Sequence, residues 1–326
     1  MNMIWQYLLL IPTTIFHLLL SWREKKTLRP PGKLFDLGGY KVHLWVQGSK
    51  NVKTNATIVL DHSLGGIEGY FLIDRLAELA EVCIYDRPGY GWSDRSPKSR
   101  CSAEIVRELD LILTKANIEP PYILVGDSFG SYNVRLYAQQ FPEKVSGIVL
   151  TDGLHESGML NLSWSIIAVK YLFISGFIMS IFGSLFGIIR LIGTVGLFEV
   201  IKPELNQFSR LQRRRIKRSF YNYRHWLTMA QELINLNRSS QQVSIARDFT
   251  IPIISIKSQA FFRPSILTAL LPLRRIDQLR DKMHHSLSNL SSNFTEIPAA
   301  SSSHFVWTDQ PEIIHQAIKQ LIDQEP

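Results

Sequence analysis

YILVGDSFGSYNVRLYA, Tyr122–Ala138, runs from an apolar strand-like segment, through two glycines around one serine, into a helical pattern. Gly126-Asp127-Ser128-Phe129-Gly130 has the form G-x-S-x-G. On a strand–turn–helix it would hold Ser128 in a strained backbone conformation, with small neighbours letting the chain pass close to adjacent elements. The hydroxyl would project into a cleft above a helix N-terminus, which favours developing negative charge. The plainer reading is a helix N-cap serine. The rest of the chain has to supply the partners that separate the two.

On either side of this stretch the pattern alternates between strands and helices. Tyr40–Val46 alternates like an edge strand. Ala56–His62 and Val82–Asp86 are short apolar runs bounded by turn residues, as in buried parallel strands. Gly69–Ala80 and Ser102–Lys115 read as helices, the latter with Ile105, Leu109 and Leu113 on one face. After strand Tyr122–Gly126 come helix Phe129–Gln140 and strand Val145–Thr151. The alternation stops near His155 and resumes with strands Ile251–Lys257 and Asn293–Ala299 and a helix over Pro311–Ile322. Repeated βα units imply a parallel sheet that binds ligands at the carboxyl ends of its strands. The block between is therefore an insertion in one α/β domain. From Trp164 to Ile201 it is nearly all apolar, and RLQRRRIKR, Arg210–Arg218, follows.

Met1–Trp22 carries no charged side chain and is followed by REKK, a length that matches the roughly 20 residues of a membrane-crossing helix. It lacks the basic start and small-residue cleavage site of a secretory signal, so an uncleaved anchor is preferred. Pro12 and His17 leave an interfacial helix open, and the basic flank places the following domain on the cytoplasmic side. RPPGK, Arg29–Lys33, reads as a linker. The apolar insertion reads as a re-entrant or interfacial element rather than a second span, which would separate strands of one sheet. Net charge is +8. The basic run is either a solvated helix face or a site for anionic headgroups, and no aromatic-interleaved surface or motif accompanies it to indicate nucleic acid. Two cysteines, Cys83 and Cys101, make neither a disulfide framework nor a metal cluster.

A serine nucleophile needs a base. Among nine histidines, His304 alone sits in a small-residue loop (SSSHFVWTDQPEII) between the last strand and the last helix. His17, His43, His225, His284, His285 and His315 read as surface or core imidazoles. The base needs a carboxylate to fix its tautomer. IPIISIKSQAFFRPSI, after the penultimate strand, contains none, whereas GIVLTDGLHES puts Asp152 at a strand's carboxyl end with Glu156 nearby. Asp152 ranks first, then Asp277 or Asp281; the plainer reading of Asp152 is a turn residue before Gly153. Two backbone amides are needed for the oxyanion. One is expected from Phe129 and the other from SLGGIEG, Ser63–Gly69, with Ser63 and Leu64 as candidates.

Taken together, these segments resemble the α/β-hydrolase family over roughly Leu34 to Gln324. Gly126–Gly130 looks like its nucleophile elbow, YDRPGYGWSD (Tyr85–Asp94) like the loop after its fourth strand, and SHFVWTDQPE like its histidine loop. GIVLTDGLHES is similar to a branch whose sixth strand ends Val-Asp-x-x-His-Glu. The chain departs in having Ser63 within a usual His-Gly opening, no acid in the usual place, and Asp127 where a histidine is common beside the nucleophile. The resemblance implies an α/β fold with a mostly parallel sheet of about eight strands, helices on both faces and a helical cap after strand six. Its division would be an N-terminal transmembrane or interfacial anchor (1–28), a core (34–153), an apolar cap (154–247) and a second part of the core (248–326). It further implies hydrolysis of an ester or related acyl bond, Ser128 attacking and His304 shuttling the proton, with no metal or organic cofactor. A lipophilic ester and membrane lipid are the expected partners. A catalytically silent scaffold binding a lipid or protein, and an acyltransferase, are the alternatives. A serine at this position argues against dehalogenase or epoxide chemistry, which would use an aspartate.

Overall fold

The computed structural model describes residues 3–50, 54–244, 249–265, 268–269 and 271–324. Eight strands form one sheet: β1 (Lys33–Asp36), β2 (Lys41–Gln47), β3 (Thr57–Asp61), β4 (Val82–Tyr85), β5 (Tyr122–Asp127), β6 (Val145–Thr151), β7 (Ile253–Ala260) and β8 (Phe294–Ser303), in the order β1-β2-β4-β3-β5-β6-β7-β8. The β1–β2 and β2–β4 pairs are antiparallel and the rest of the sheet is parallel. Period-two alternation sends neighbouring residues of β5 into two separate cores. Leu124 packs with Val59, Ile148, Leu109 and Tyr137 on one face, and Ile123 and Val125 pack with Ile58, Val149, Ile314 and Ile318 on the other. Helices thus cover both faces, and the central strands are buried throughout.

Several expectations change. β2 is not an edge: β1, formed where the RPPGK linker was expected to end, flanks it, and Val42, His43, Leu44 and Trp45 are all buried. The helix expected over Gly69–Ala80 is two short pieces, a 3₁₀ turn Glu68–Phe71 and a helical turn Ile73–Leu76. A helix over Leu273–Leu287, unassigned from sequence, joins β7 to β8. The expected boundary at 247 lies outside the described residues.

Between β6 and β7 the described chain is helical, with its longest helix over Trp164–Leu185. That helix is long and apolar enough to cross a bilayer by length and composition, yet it lies on helix Tyr223–Ile234 and both of its ends return to the same sheet. The basic run forms helix Arg210–Phe220, started by a capping box of Ser209 and Gln212. Most of its charges are engaged internally: Arg213 and Lys217 with Glu199, Arg215 over the Trp45 ring, and Arg218 over Trp92 and on the Gly91 carbonyl. The N-terminal helix, Met3–Thr27, also docks on the insertion. Arg190, buried in helix Ile188–Thr194, takes both Glu24 carboxylate oxygens at 2.9 Å, Ser21 Oγ at 3.0 Å and His17 Nδ1 at 3.1 Å.

Insertion and sheet are joined by Arg87. Its guanidinium donates to Asp61 at the end of β3 (2.5 Å), to the His62 and Ser63 carbonyls (2.6 and 2.7 Å), and to both oxygens of Glu232 on helix Tyr223–Ile234 (3.0 and 3.1 Å). All three charged side chains are wholly buried. Removing one member of such a cluster strands the others' charge, at about 3–5 kcal/mol. Arg87→Met is expected to lower the urea-unfolding free energy by that amount, and Arg87→Met/Glu232→Leu to recover part of it. A single variant as stable as the parent would rule out this role for the cluster.

Candidate active site

β5 ends at Asp127 and a helix begins at Gly130, so the quoted stretch forms a strand–turn–helix with Ser128 at the turn. Ser128 has φ +49°, in the left-handed region that costs a non-glycine residue energy. Both glycines are sterically required. A Cβ on Gly126 would lie 2.6 Å from Val134 Cγ2 and 2.8 Å from the Gly130 backbone; one on Gly130 would lie 2.4 Å from the Asp61 carbonyl oxygen. The turn is pinned by the Ser128 amide on the Thr151 carbonyl (2.9 Å) and by Ser131, whose hydroxyl donates to the Ser128 carbonyl (2.6 Å). These bonds are not those of an N-cap, and no side-chain cap bond is present at this helix start.

The Ser128 hydroxyl lies 2.8 Å from His304 Nε2, and His304 Nδ1 lies 2.5 Å from Asp152 Oδ2. His304 follows β8 directly, its amide on the Phe261 carbonyl and its ring stacked on Phe261 with centroids 4.1 Å apart. Asp152 follows β6 at φ +42°. Its other oxygen, Oδ1, accepts from the Ser258 amide (3.2 Å) and from His284 Nε2 (3.1 Å). Burial pushes the Asp152 carboxyl up, but the bonds from His284 and His304 outweigh it and hold the group well below the usual carboxylate range. Asp152 is therefore an ionised acceptor, which requires His304 to carry its proton on Nδ1 and to turn the Nε2 lone pair toward the Ser128 hydroxyl.

The other candidates fall apart from this line. Asp277 accepts the Phe261 amide (2.8 Å) and so supports the histidine's stacking partner; Asp281 pairs with Lys257 (3.0 Å). Glu156 is held by Arg135. Ser63, Leu64 and Phe129 line the same cavity as Ser128 and His304. The Phe129 and Leu64 amides make no hydrogen bond among the described residues, whereas the Ser63 carbonyl is taken by Arg87 and the Gly66 amide. The Ser63 amide likewise makes no hydrogen bond among the described residues, so both candidate amides are free to bind an oxyanion. The cavity, about 310 Å³, is otherwise apolar: Ile166, Val169, Phe173 and Phe177 come from the long helix of the insertion, and Ile276, Leu279 and Met283 from Leu273–Leu287. Lys170 and Arg280 add two cations to its wall. Among the described residues no cluster of His, Cys, Asp or Glu has the form of a metal site.

Sequence reasoning missed His284, which it read as an ordinary imidazole, and Arg280. The signal was available: Ile276, Arg280, Met283, His284 and Leu287 are the buried face of one helix, at spacings of four, three, one and three, the stripe of a helix packed on a core.

With eight strands in this order, the comparisons agree with the fold. A family model described as the alpha/beta hydrolase fold matches residues 57–174. A structure described as a probable hydrolytic enzyme from Pseudomonas aeruginosa superposes with TM-score 0.63 over 89% of this chain and 92% of that one, at 16% identity. The chain has the α/β-hydrolase fold. Among curated relatives, the uncharacterized protein YbdG of Bacillus subtilis is 25% identical over 42% of this chain and 42% of its own length. A probable 1-acylglycerol-3-phosphate O-acyltransferase of Oryza sativa is 31% identical over 37% of this chain and 33% of its own. The matches thus span less than half the length of these relatives.

Asp127, beside the nucleophile, faces away from the cavity line, its Oδ1 accepting from Thr151 Oγ1 (2.6 Å), which in turn accepts from the Trp307 indole (2.8 Å). Burial pushes its carboxyl up to about 7, against the opposing pull of His304 and the Thr151 bond. A carboxyl raised in the folded state contributes stability below its unfolded value and loses that contribution as pH rises toward 7. Asp127→Asn, neutral throughout, is expected to lose less thermal stability than the parent between pH 5 and pH 8, a difference on the order of 2–4 °C in Tm. Parallel Tm-versus-pH curves would refute the raised carboxyl.

Proposed function

We propose that this protein is a membrane-associated serine hydrolase that cleaves a lipophilic ester or related acyl bond. The observation that carries the reading is the unbroken line from Ser128 Oγ through His304 to a buried, ionised Asp152, opening into an apolar cavity. His304 Nε2 accepts the Ser128 proton as the oxygen attacks the acyl carbon, and Asp152 stabilises the imidazolium. The Phe129 amide, together with that of Ser63 or Leu64, stabilises the tetrahedral oxyanion. Collapse expels the alcohol with the proton from His304 and leaves Ser128 acylated. Water, deprotonated by His304, then releases the carboxylic acid and restores the serine. An aspartate at position 128 would have directed the same fold to dehalogenase or epoxide chemistry; a serine supports acyl chemistry.

Membrane association is supported by two adjoining apolar faces. On the N-terminal helix Ile11, Ile15, Leu18, Leu19 and Trp22 are exposed, and on the insertion Leu172, Met179, Phe182, Leu191 and Val195 are exposed. A patch of this extent is unusual on a free soluble domain, and bulky apolar groups flanked by Arg23, Lys25 and Lys26 suit an interfacial surface. Acyl transfer is the second reading, favoured by the relative named as an acyltransferase: an acceptor alcohol would replace water in the second step.

A fluorophosphonate probe is expected to label the parent and not Ser128→Ala, and that variant to lose at least about 10³-fold of esterase activity. A folded parent that resists the probe, or activity that survives in Ser128→Ala, would favour the silent scaffold. Adding glycerol or a lysophospholipid to the reaction separates the two chemistries, since transacylated product appears only for acyl transfer. For the membrane, Leu19→Glu/Met179→Glu is expected to reduce co-flotation with anionic vesicles several-fold at unchanged circular dichroism. Flotation equal to the parent would remove these faces from the reading.

A further inference from the structure

Asp152 is shared. Its Oδ2 serves His304 and its Oδ1 serves His284, so one buried carboxylate stands between two imidazoles. His284 is itself buried, and its Nδ1 has no hydrogen-bond partner among the described residues; the nearest charge to it is a Glu296 oxygen at 3.9 Å. The position of the acid explains the need for this contact. Just past β6, in a left-handed backbone conformation, Asp152 has one backbone donor for Oδ1 among the described residues, the Ser258 amide at 3.2 Å. A carboxylate that must aim one oxygen at His304 needs its other oxygen anchored, and helix Leu273–Leu287 supplies the second donor.

We infer that His284 is a positioning residue for the proposed acyl chemistry: its Nε2–H anchors Asp152 Oδ1, which aims Oδ2 at His304 and tempers the negative charge His304 meets. The inference rests on the Ser128–His304–Asp152 reading above. Its surroundings are consistent with a donor locked in one tautomer. Asp152 faces it from β6 and Glu296 from β8, with His304 beyond Asp152. Arg280 on the same helix is turned to Ser258 and Gln259. Glu156, from the short helix packed alongside, is engaged by Arg135 and His155, and Asp281 by Lys257. Besides the Ser258 amide and the two imidazoles, no donor reaches the Asp152 carboxylate among the described residues.

Two effects follow from the loss of the N–H. The anchor goes, so the chemical step slows. The Asp152 charge is no longer shared, so His304 holds its proton more tightly and the acid limb of the pH profile moves up. A role confined to packing moves neither. The experiment compares His284→Ala and His284→Gln with the parent, using a soluble short-chain p-nitrophenyl ester and the fluorophosphonate probe to count active sites. His284→Ala is expected to lose about 10- to 100-fold in kcat per labelled site with KM within about twofold, the size of a lost charge-assisted bond. Its acid limb in kcat/KM should rise by roughly 0.5 to 1 pH unit. His284→Gln, which keeps an N–H in reach, should restore kcat to within about threefold. Parent-like kcat and acid limb in His284→Ala would overturn the inference. So would equal losses in Ala and Gln with an unmoved acid limb. If instead Ser128→Ala and His304→Ala retain the parent's activity, it is the underlying reading that fails.

Discussion

The Arg87 guanidinium is the contact on which the site depends. Burying a cation with two carboxylates is costly unless nearly every donor and acceptor is satisfied, and here the bonds do more than neutralise charge. Two fix the carbonyls of His62 and Ser63, so the loop that carries the Leu64 amide is held by the peptide groups just before it. Two more reach Glu232, to which Tyr90 also donates at 2.7 Å. The loop after β3, the loop after β4 and the insertion therefore share one charge cluster. A shift of the insertion relative to the sheet would break the bonds that hold the candidate oxyanion loop, so the lid of the cavity and its chemistry are mechanically one unit.

The same economy shapes the acid. With no carboxylate in the residues directly after β7, the tip of that strand contributes other things: the Ser258 amide to Asp152, the Phe261 carbonyl to the His304 amide, and the Phe261 ring to stack on the imidazole. Strand β7 lies between β6 and β8, so an acid on β6 must reach past it to a histidine after β8. The left-handed backbone of Asp152 and the donors on its second oxygen are what that longer reach requires.

How legible this was depends on the range of the forces involved. The buried parallel strands declared themselves because a strand covered on both faces is a continuous apolar run, and Val145–Thr151 was read to the residue. Ser128, His304 and Asp152 were legible because each stands at a strand's carboxyl end, where a parallel sheet gathers its chemistry. What failed was whatever long-range pairing decides. Strand β1 has four residues and exists because Lys33–Asp36 has β2 to pair with. The helix Leu273–Leu287 was hidden by charge: its inward stripe contains Arg280 and His284, polar groups whose partners lie on β6 and β7. His284 looked like any imidazole because the carboxylate that gives it meaning is 132 residues earlier.

The N-terminal segment shows the same limit in a form that bears on the substrate. Hydropathy registers Met1–Trp22 as one uncharged run and cannot register that Arg190, 166 residues beyond Glu24, pairs with it. The pairing turns His17, Ser21 and Glu24 toward the insertion and leaves Ile11, Ile15, Leu18 and Leu19 outward. From Ile11 to Trp22 the side chains this helix still exposes are all apolar. Next to it, helix Trp164–Leu185 has one side in the cavity wall and the other exposed and apolar. On the membrane-associated reading, a single helix, about 10 Å across, is all that separates the acyl cavity from lipid. A substrate would then not need to cross water to reach Ser128, and the apolar wall would select for chains that prefer not to.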